Sequence, residues 1–259
     1  MQEAQLSTPS VGLYFDLRKR SLTNTLHAVE PDADDAEHRY VLDFIRHYVN
    51  GQAISMLPVV RLDSLQACIL DVLLKGILGD LIETGVWRGG AVIFMQAVLK
   101  VAGACDRTVW VADSFEGLPL PDAEKYPVEA KAHHGSIMQT SYKHFAEGLD
   151  TVQANFRAYG MLDSNVRFLK GWFKDTLPTA PIGPLAIMRL DGDYYESTMD
   201  ALTNLYDKLS IGGYAIIDDY GEDTWTCCRK AVDDFRSERG IAEPMIRVDS
   251  KCFYWQRAS

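Results

Sequence analysis

The spacing of apolar residues changes character along this chain of 259 residues. Up to about residue 77 they recur every three or four positions. Leu62, Leu65, Ile69, Leu73 and Ile77 form one such stripe, and Leu13, Leu17 and Leu22 another on a segment rich in Lys and Arg. Both predict helices. The acidic, Pro-containing residues 29–37 between them predict a loop. From Gly79 onward short apolar runs alternate with helical stretches. Runs at 80–84, 108–112, 166–169, 185–190 and 214–217 are bounded by Gly, Pro or Asp and predict five buried strands. Residues 91–101, 149–159, 196–209 and 228–239 predict helices, the last two closed by the Gly-containing segment 210–213 and by Gly240. Residues 245–248 and 252–256 predict a terminal hairpin.

Repeated strand–helix units predict an α/β fold around a parallel sheet with right-handed crossovers. A helical N-terminal segment, residues 1–78, then precedes a catalytic domain at 79–259. Within that domain residues 116–150 form a long polar stretch with Pro119, Pro121, Pro127 and the pair His133-His134. Its length predicts a functional lid.

Composition narrows the function. Apolar residues make up 47%, enough for a full core, and the net charge is −10. That balance argues against a nucleic-acid backbone or an anionic membrane as partner, since both require clustered cations. Five cysteines in no Cys-x-x-Cys spacing fit reduced, cytoplasmic thiols better than a disulfide framework. Residues 1–10 hold no apolar core, so no signal peptide is expected. The longest apolar stretch, 91–105, is interrupted by Gln96 and Lys100 and is too short to span a bilayer. The apolar-rich N-terminal helices suggest a homo-oligomer.

The chemistry sits where strands end. Asp191-Gly192-Asp193 follows the fourth predicted strand and Asp218-Asp219 the fifth. In open α/β sheets the carboxyl ends of neighbouring strands form the ligand crevice. Carboxylates that converge there need a cation or raised pKa values to coexist, and an all-oxygen set suits Mg²⁺ better than zinc. Asp at a strand end also starts turns and caps helices. That simpler role is preferred for Asp193, ahead of the helix at 196. Asp191, Asp218 and Asp219 stand as the expected metal triad.

A second cluster follows the first strand. Glycines in Glu83-Thr84-Gly85-Val86-Trp87-Arg88-Gly89-Gly90 permit a tight turn and close approach of a ligand, and the helix N-terminus behind them can receive an anionic group. Asp113, ending the second strand, is placed to take both ribose hydroxyls of a nucleoside. Trp87 occupies the second glycine position of a G-x-G-x-x-G pattern, which favours S-adenosylmethionine over a dinucleotide. The simpler reading of His133, His134 and His144 is exposure in a loop; the sharper one is a substrate contact. Trp172 could stack on adenine or pack in the core, while Trp225, Tyr254 and Trp255 are expected to pack. Nothing beside Cys227-Cys228 suggests an activated thiol.

Five segments together, 83–91, 110–115, 171–176, 189–193 and 216–220, strongly resemble the macrocin-type sugar O-methyltransferases of bacterial antibiotic biosynthesis, over residues 13–255. The resemblance implies a class I S-adenosylmethionine-dependent methyltransferase fold, Mg²⁺, and methylation of a deoxysugar hydroxyl that has a hydroxyl neighbour. It implies that Asp191, Asp218 and Asp219 hold the metal, and that Asp191 doubles as general base. Glu83, Gly85, Arg88, Asp113, Ser114, Gly171, Trp172 and Asp191 then line the cofactor site, with Ser55 and Met56 near both cofactor and sugar. The chain departs from macrolide-acting relatives at 221–228, at Tyr194-Tyr195-Glu196 and across 119–148, so the acceptor sugar could sit on another aglycone or on a nucleotide. Two rivals are weighed: a D-x-D glycosyltransferase built on Asp191-Gly192-Asp193, and a nucleoside-binding sensor without turnover.

Overall fold

A computed structural model describes residues 8–26, 52–133, 145–221 and 226–258. The expected loop at 29–37, with His134, His144 and Trp225, lies outside the described residues. Seven strands form one sheet: β1 (Asp80–Thr84), β2 (Val109–Asp113), β3 (Val166–Lys170), β4 (Leu185–Leu190), β5 (Leu209–Ile217), β6 (Ile246–Arg247) and β7 (Phe253–Gln256). Their order is β3-β2-β1-β4-β5-β7-β6. The first five run parallel, and β7 enters antiparallel between β5 and β6. All five predicted strands and the terminal hairpin are present.

The helices are α1 (Pro9–Leu22), α2 (Val59–Leu74), α3 (Gly90–Ala102), α4 (Pro127–His133), α5 (Leu149–Ala158), α6 (Phe173–Thr176), α7 (Tyr195–Leu205) and α8 (Thr226–Arg239). Eleven of the thirteen residues of α3 are buried. A helix apolar on all sides needs cover on all sides, and α1, α2 and the sheet supply it within one hydrophobic cluster. A second cluster on the opposite face of the sheet joins α7 and α8 to Trp255, which is fully buried as the sequence predicts.

Two expectations are corrected. The helix predicted at 196–209 ends at Leu205, and a single 3₁₀ turn, Tyr206–Lys208, leads straight into β5 at Leu209. Segment 210–213 is therefore strand, not a helix terminus, with Gly212 N–H bonded across to the Arg257 carbonyl at 2.7 Å. On α1 only part of the predicted stripe is buried. Phe15, Lys19 and Leu22 are buried, whereas Leu13 and Leu17 face outward. Lys19 is tolerated inside because its ammonium meets Asp63 at 2.5 Å.

Candidate active site

The chain reverses its direction across the sheet between β1 and β4, and the crevice at that switch point is where open α/β folds take ligands. The approach there is very close. A Cβ on Gly85 would lie 1.8 Å from the Asp191 carbonyl oxygen, and Gly85 has φ +82°. Only glycine lets the turn after β1 sit against the turn after β4.

Three backbone ties organise the first half of the crevice. Asp113 at the end of β2 accepts from Val86 N–H at 2.7 Å through Oδ2 and from Phe115 N–H at 2.7 Å through Oδ1. Gly171 N–H, after β3, donates to the Asp113 carbonyl at 2.9 Å. The turns after β1, β2 and β3 are thus linked through one residue, and burial pushes the Asp113 carboxyl upward against these hydrogen bonds. The Trp87 N–H also reaches this carboxylate, and the Ser114 hydroxyl lies 3.4 Å from its Oδ1. Ser114 closes its own turn: its hydroxyl donates to the Gly117 carbonyl at 2.7 Å and accepts from Glu116 N–H at 3.0 Å. Trp172 is half-buried and caps α6 with its carbonyl.

Arg88 ties down the edges. Its Nε donates to Glu147 at 2.6 Å and its Nη1 to the Ala53 carbonyl at 3.1 Å. The Ala53–Leu57 region therefore lies over the start of α3, so closely that a Cβ on Gly90 would lie 2.4 Å from the Ser55 Cβ. Ser55 is buried there and Met56 half-buried.

The other half is charged. Arg189, in the wholly buried strand β4, is 2% exposed. Its Nη1 pairs with Glu83 and also lies 3.1 Å from Asp191 Oδ2, while its Nη2 lies 2.5 Å from Asp218 Oδ1. Asp218 Oδ2 also meets Arg61 of α2 at 2.8 Å, and Arg61 continues to Asp249 at 2.6 Å. Neither arginine was given a role by the sequence reading. A lone Arg inside the apolar run 185–190 was the available signal, because a buried guanidinium demands carboxylate partners.

Around this network Asp191 and Asp219 converge while Asp218 is held apart. Asp218 is turned to the two arginines, because consecutive residues at a strand end point to opposite faces. The carboxylates whose oxygens come within 4.8 Å of one another are Asp191, Asp193 and Asp219. Asp193, expected only to start a helix, joins them with its backbone at φ 55°. Glu83, expected to line the cofactor site, pairs with Arg189.

Electrostatics sets the character of this cluster. Burial first, and then repulsion from Asp218, push Asp191 up to about 6, against the pull of Arg189. Burial, reinforced by Asp193 and Asp191, drives Asp219 well above the usual carboxylate range. Among the described residues Asp219 Oδ2 is buried without a hydrogen-bond partner. An all-oxygen set with a surplus of negative charge and an orphaned buried acceptor fits a hard divalent cation such as Mg²⁺.

His133 is half-buried rather than exposed, with Nδ1 2.9 Å from the Tyr194 hydroxyl. Burial holds the Cys227 thiol up at about 12, in agreement with the expectation of an unactivated thiol. No helix among the described residues is long and apolar enough to cross a membrane.

The sheet order, the glycine turn after β1 and the acidic residue ending β2 define a class I S-adenosylmethionine-dependent methyltransferase fold. Comparison with known proteins carries this to a family. The family model for macrocin O-methyltransferase (TylF) matches residues 12–257. The chain is 46% identical over 260 residues to the 8-demethyl-8-(2,3-dimethoxy-alpha-L-rhamnosyl)-tetracenomycin-C 4'-O-methyltransferase of Streptomyces olivaceus, covering 95% of this chain and 93% of that protein. It is 42% identical over 264 residues to the mycinamicin III 3''-O-methyltransferase of Micromonospora griseorubida, covering 97% of this chain and all (100%) of that protein. Among solved structures, the O-methyltransferase NovP aligns with a TM-score of 0.83 at 42% identity, over 96% of this chain and 99% of that one. The chain belongs to the macrocin O-methyltransferase family and is an S-adenosylmethionine-dependent O-methyltransferase. The glycosyltransferase alternative falls with that result.

Proposed function

We propose that this enzyme methylates a hydroxyl of a rhamnose-like deoxysugar, carried on a natural product or on a nucleotide, with Mg²⁺ held by Asp191, Asp193 and Asp219. The observation that carries the proposal is the three-carboxylate cluster at the switch-point crevice, with Asp219 Oδ2 buried and unpartnered. The sugar acceptor is supported by relatives whose names specify methylation on a rhamnosyl unit or on a glycosylated macrolide.

When bound, S-adenosylmethionine supplies an electrophilic methyl group and Mg²⁺ a Lewis acid that lowers the pKa of a sugar hydroxyl. The chain's own residues do the rest. Asp113 holds the turns that would bracket the nucleoside, and half-buried Trp172 offers a flat face to adenine. Asp191 accepts the proton of the attacking hydroxyl. Arg189, 3.1 Å from Asp191 Oδ2, fixes its orientation. The close-packed Gly85–Asp191 junction holds the two halves of the site at a fixed separation, which in-line methyl transfer requires. Five free cysteines are compatible with work in the cytoplasm.

The test is a methyl-transfer screen by mass spectrometry across nucleotide deoxysugars and glycosylated antibiotics, with their aglycones as controls. Product that gains a methyl group only when the sugar is present supports the proposal. Methylation of a bare aglycone in preference to every glycoside overturns it.

A further inference from the structure

The turn after β1 holds a bulky residue in a conformation that disfavours it. Buried Trp87 has φ 47°, between Gly85 at φ 82° and Gly89 at φ 87°. The glycines adopt such angles freely, but a side chain of this size keeps one only where its surroundings over-determine it. Arg88 gathers those surroundings. Its guanidinium lies over the Trp87 ring, 4.4 Å from the centroid. The Arg88 carbonyl accepts from Asn155 Nδ2 of α5 at 2.9 Å. The same guanidinium reaches two segments remote in sequence, Glu147 through Nε and the Ala53 carbonyl through Nη1. Both ends are anchored. Next to Ala53, Ile54 N–H and Ser55 N–H donate to the Leu22 carbonyl that ends α1, at 2.9 and 3.0 Å. Next to Glu147, Gly148 is the N-cap of α5. The paired side chains are only 15% and 18% exposed, so water screens this pair less than a surface ion pair.

We propose that Arg88 is the clasp of the cofactor turn: by joining segment 53–57 to Glu147 across that turn, it holds Trp87 in its left-handed conformation and so sets the affinity for S-adenosylmethionine. Arg88 and Glu147 are then positioning residues, acting through the backbone of the turn and through segment 53–57. The resemblance places Arg88 in the lining of the cofactor site; the geometry turns its guanidinium to protein partners on both sides instead. Loss of the clasp leaves Asp113 and the strand ends in place but lets the turn relax, so binding must restore the strained form. The inference rests on the reading of the turn after β1 as the cofactor turn.

The test joins two measurements on the full chain: calorimetric affinity for S-adenosylhomocysteine, and hydrogen exchange of residues 53–57 without any ligand. Release of one strained residue shifts an equilibrium by about tenfold. Arg88→Met is therefore expected to weaken S-adenosylhomocysteine binding about tenfold. It should also speed exchange in 53–57 while β4 exchanges as in the wild type. Glu147→Ala, a milder variant in case Arg88→Met fails to fold, is expected to act several-fold in the same direction on both readouts. Glu147→Gln keeps an oxygen for Arg88 Nε and is expected to recover most of the loss. The double variant of Arg88→Met and Glu147→Ala should bind no more weakly than Arg88→Met alone, because both remove one interaction. Weaker binding with unchanged exchange at 53–57 would make Arg88 a direct cofactor contact and overturn the clasp. Faster exchange with wild-type affinity would leave only a structural tie, and faster exchange in β4 as well would mean general destabilisation; either contradicts the proposal. A wild-type chain that binds no S-adenosylhomocysteine would instead sink the reading of this turn as the cofactor turn.

Discussion

The two halves of the crevice are built from different materials. The half formed by the turns after β1, β2 and β3 is held by backbone N–H groups, with Asp113 as their common acceptor. The half after β4 and β5 is held by charge, with Arg189 and Arg61 threaded between Glu83, Asp191, Asp218 and Asp249. Backbone ties give a fixed shape that a neutral or cationic ligand can fill without changing the balance of charge. Buried ion pairs give a site whose balance is incomplete until something positive arrives. One half is suited to binding and the other to chemistry.

Substitutions can separate these roles. The largest effect is expected from Asp191→Asn, which removes the base. Turnover should fall by about 10²–10⁴-fold, while S-adenosylhomocysteine binding, measured by calorimetry, stays near wild type. Equal loss of both would mean that the halves are not distinct. Next comes Arg189→Met, which strands Glu83 as a buried, uncompensated carboxylate and leaves Asp218 to Arg61 alone, at a cost of about 3–5 kcal/mol. For a chain of this size that predicts a fall in melting temperature on the order of 10 °C, and a change under 2 °C would show that the network contributes little. Asp113→Ala acts in the other half. It frees the turn after β1, and cofactor affinity is expected to drop about tenfold, as for loss of a charge-assisted hydrogen bond, with cation affinity unchanged.

The smallest effect is in the pH dependence of stability. The pKa of Asp191 is raised on folding, to about 6. Its contribution to stability is therefore full below the unfolded value near 4 and is lost as pH rises through about 6. Asp219 is shifted in the same direction. Without a divalent cation the melting temperature should accordingly sag by a few degrees from this source above pH 6. Added Mg²⁺ should raise it more at pH 7.5 than at pH 5. An equal Mg²⁺ effect at both values would mean that the cation is not balancing these carboxylates.

The same contrast explains what could be read from the chain. The backbone-held half is local: residues 83–91 and 110–115 carry their turns in their own glycines and aspartates, so strand ends and cofactor turns were legible. The charged half is assembled by register. Arg61, Arg189, Asp218 and Asp249 are far apart in sequence, and only the folded sheet brings them together. Adjacency placed Asp218 with Asp219, but the two-residue alternation of a strand sends them to opposite sides. Asp193 was read as a helix start, and the left-handed turn that swings it toward Asp191 has no glycine to announce it. Likewise α1 packs on Phe15 and Leu22 while Leu13 and Leu17 face outward, and buried Lys19 reaches out to exposed Asp63.

The central claim is that the charged half works only with a divalent cation. Its most direct test follows tritiated methyl transfer from S-adenosylmethionine to an acceptor glycoside, in excess EDTA and again after Mg²⁺ is restored. The expected result is turnover lost in EDTA and recovered with Mg²⁺, with cofactor binding intact throughout. Undiminished turnover in EDTA would contradict it, and Asp191, Asp193 and Asp219 would then have to be explained without a metal.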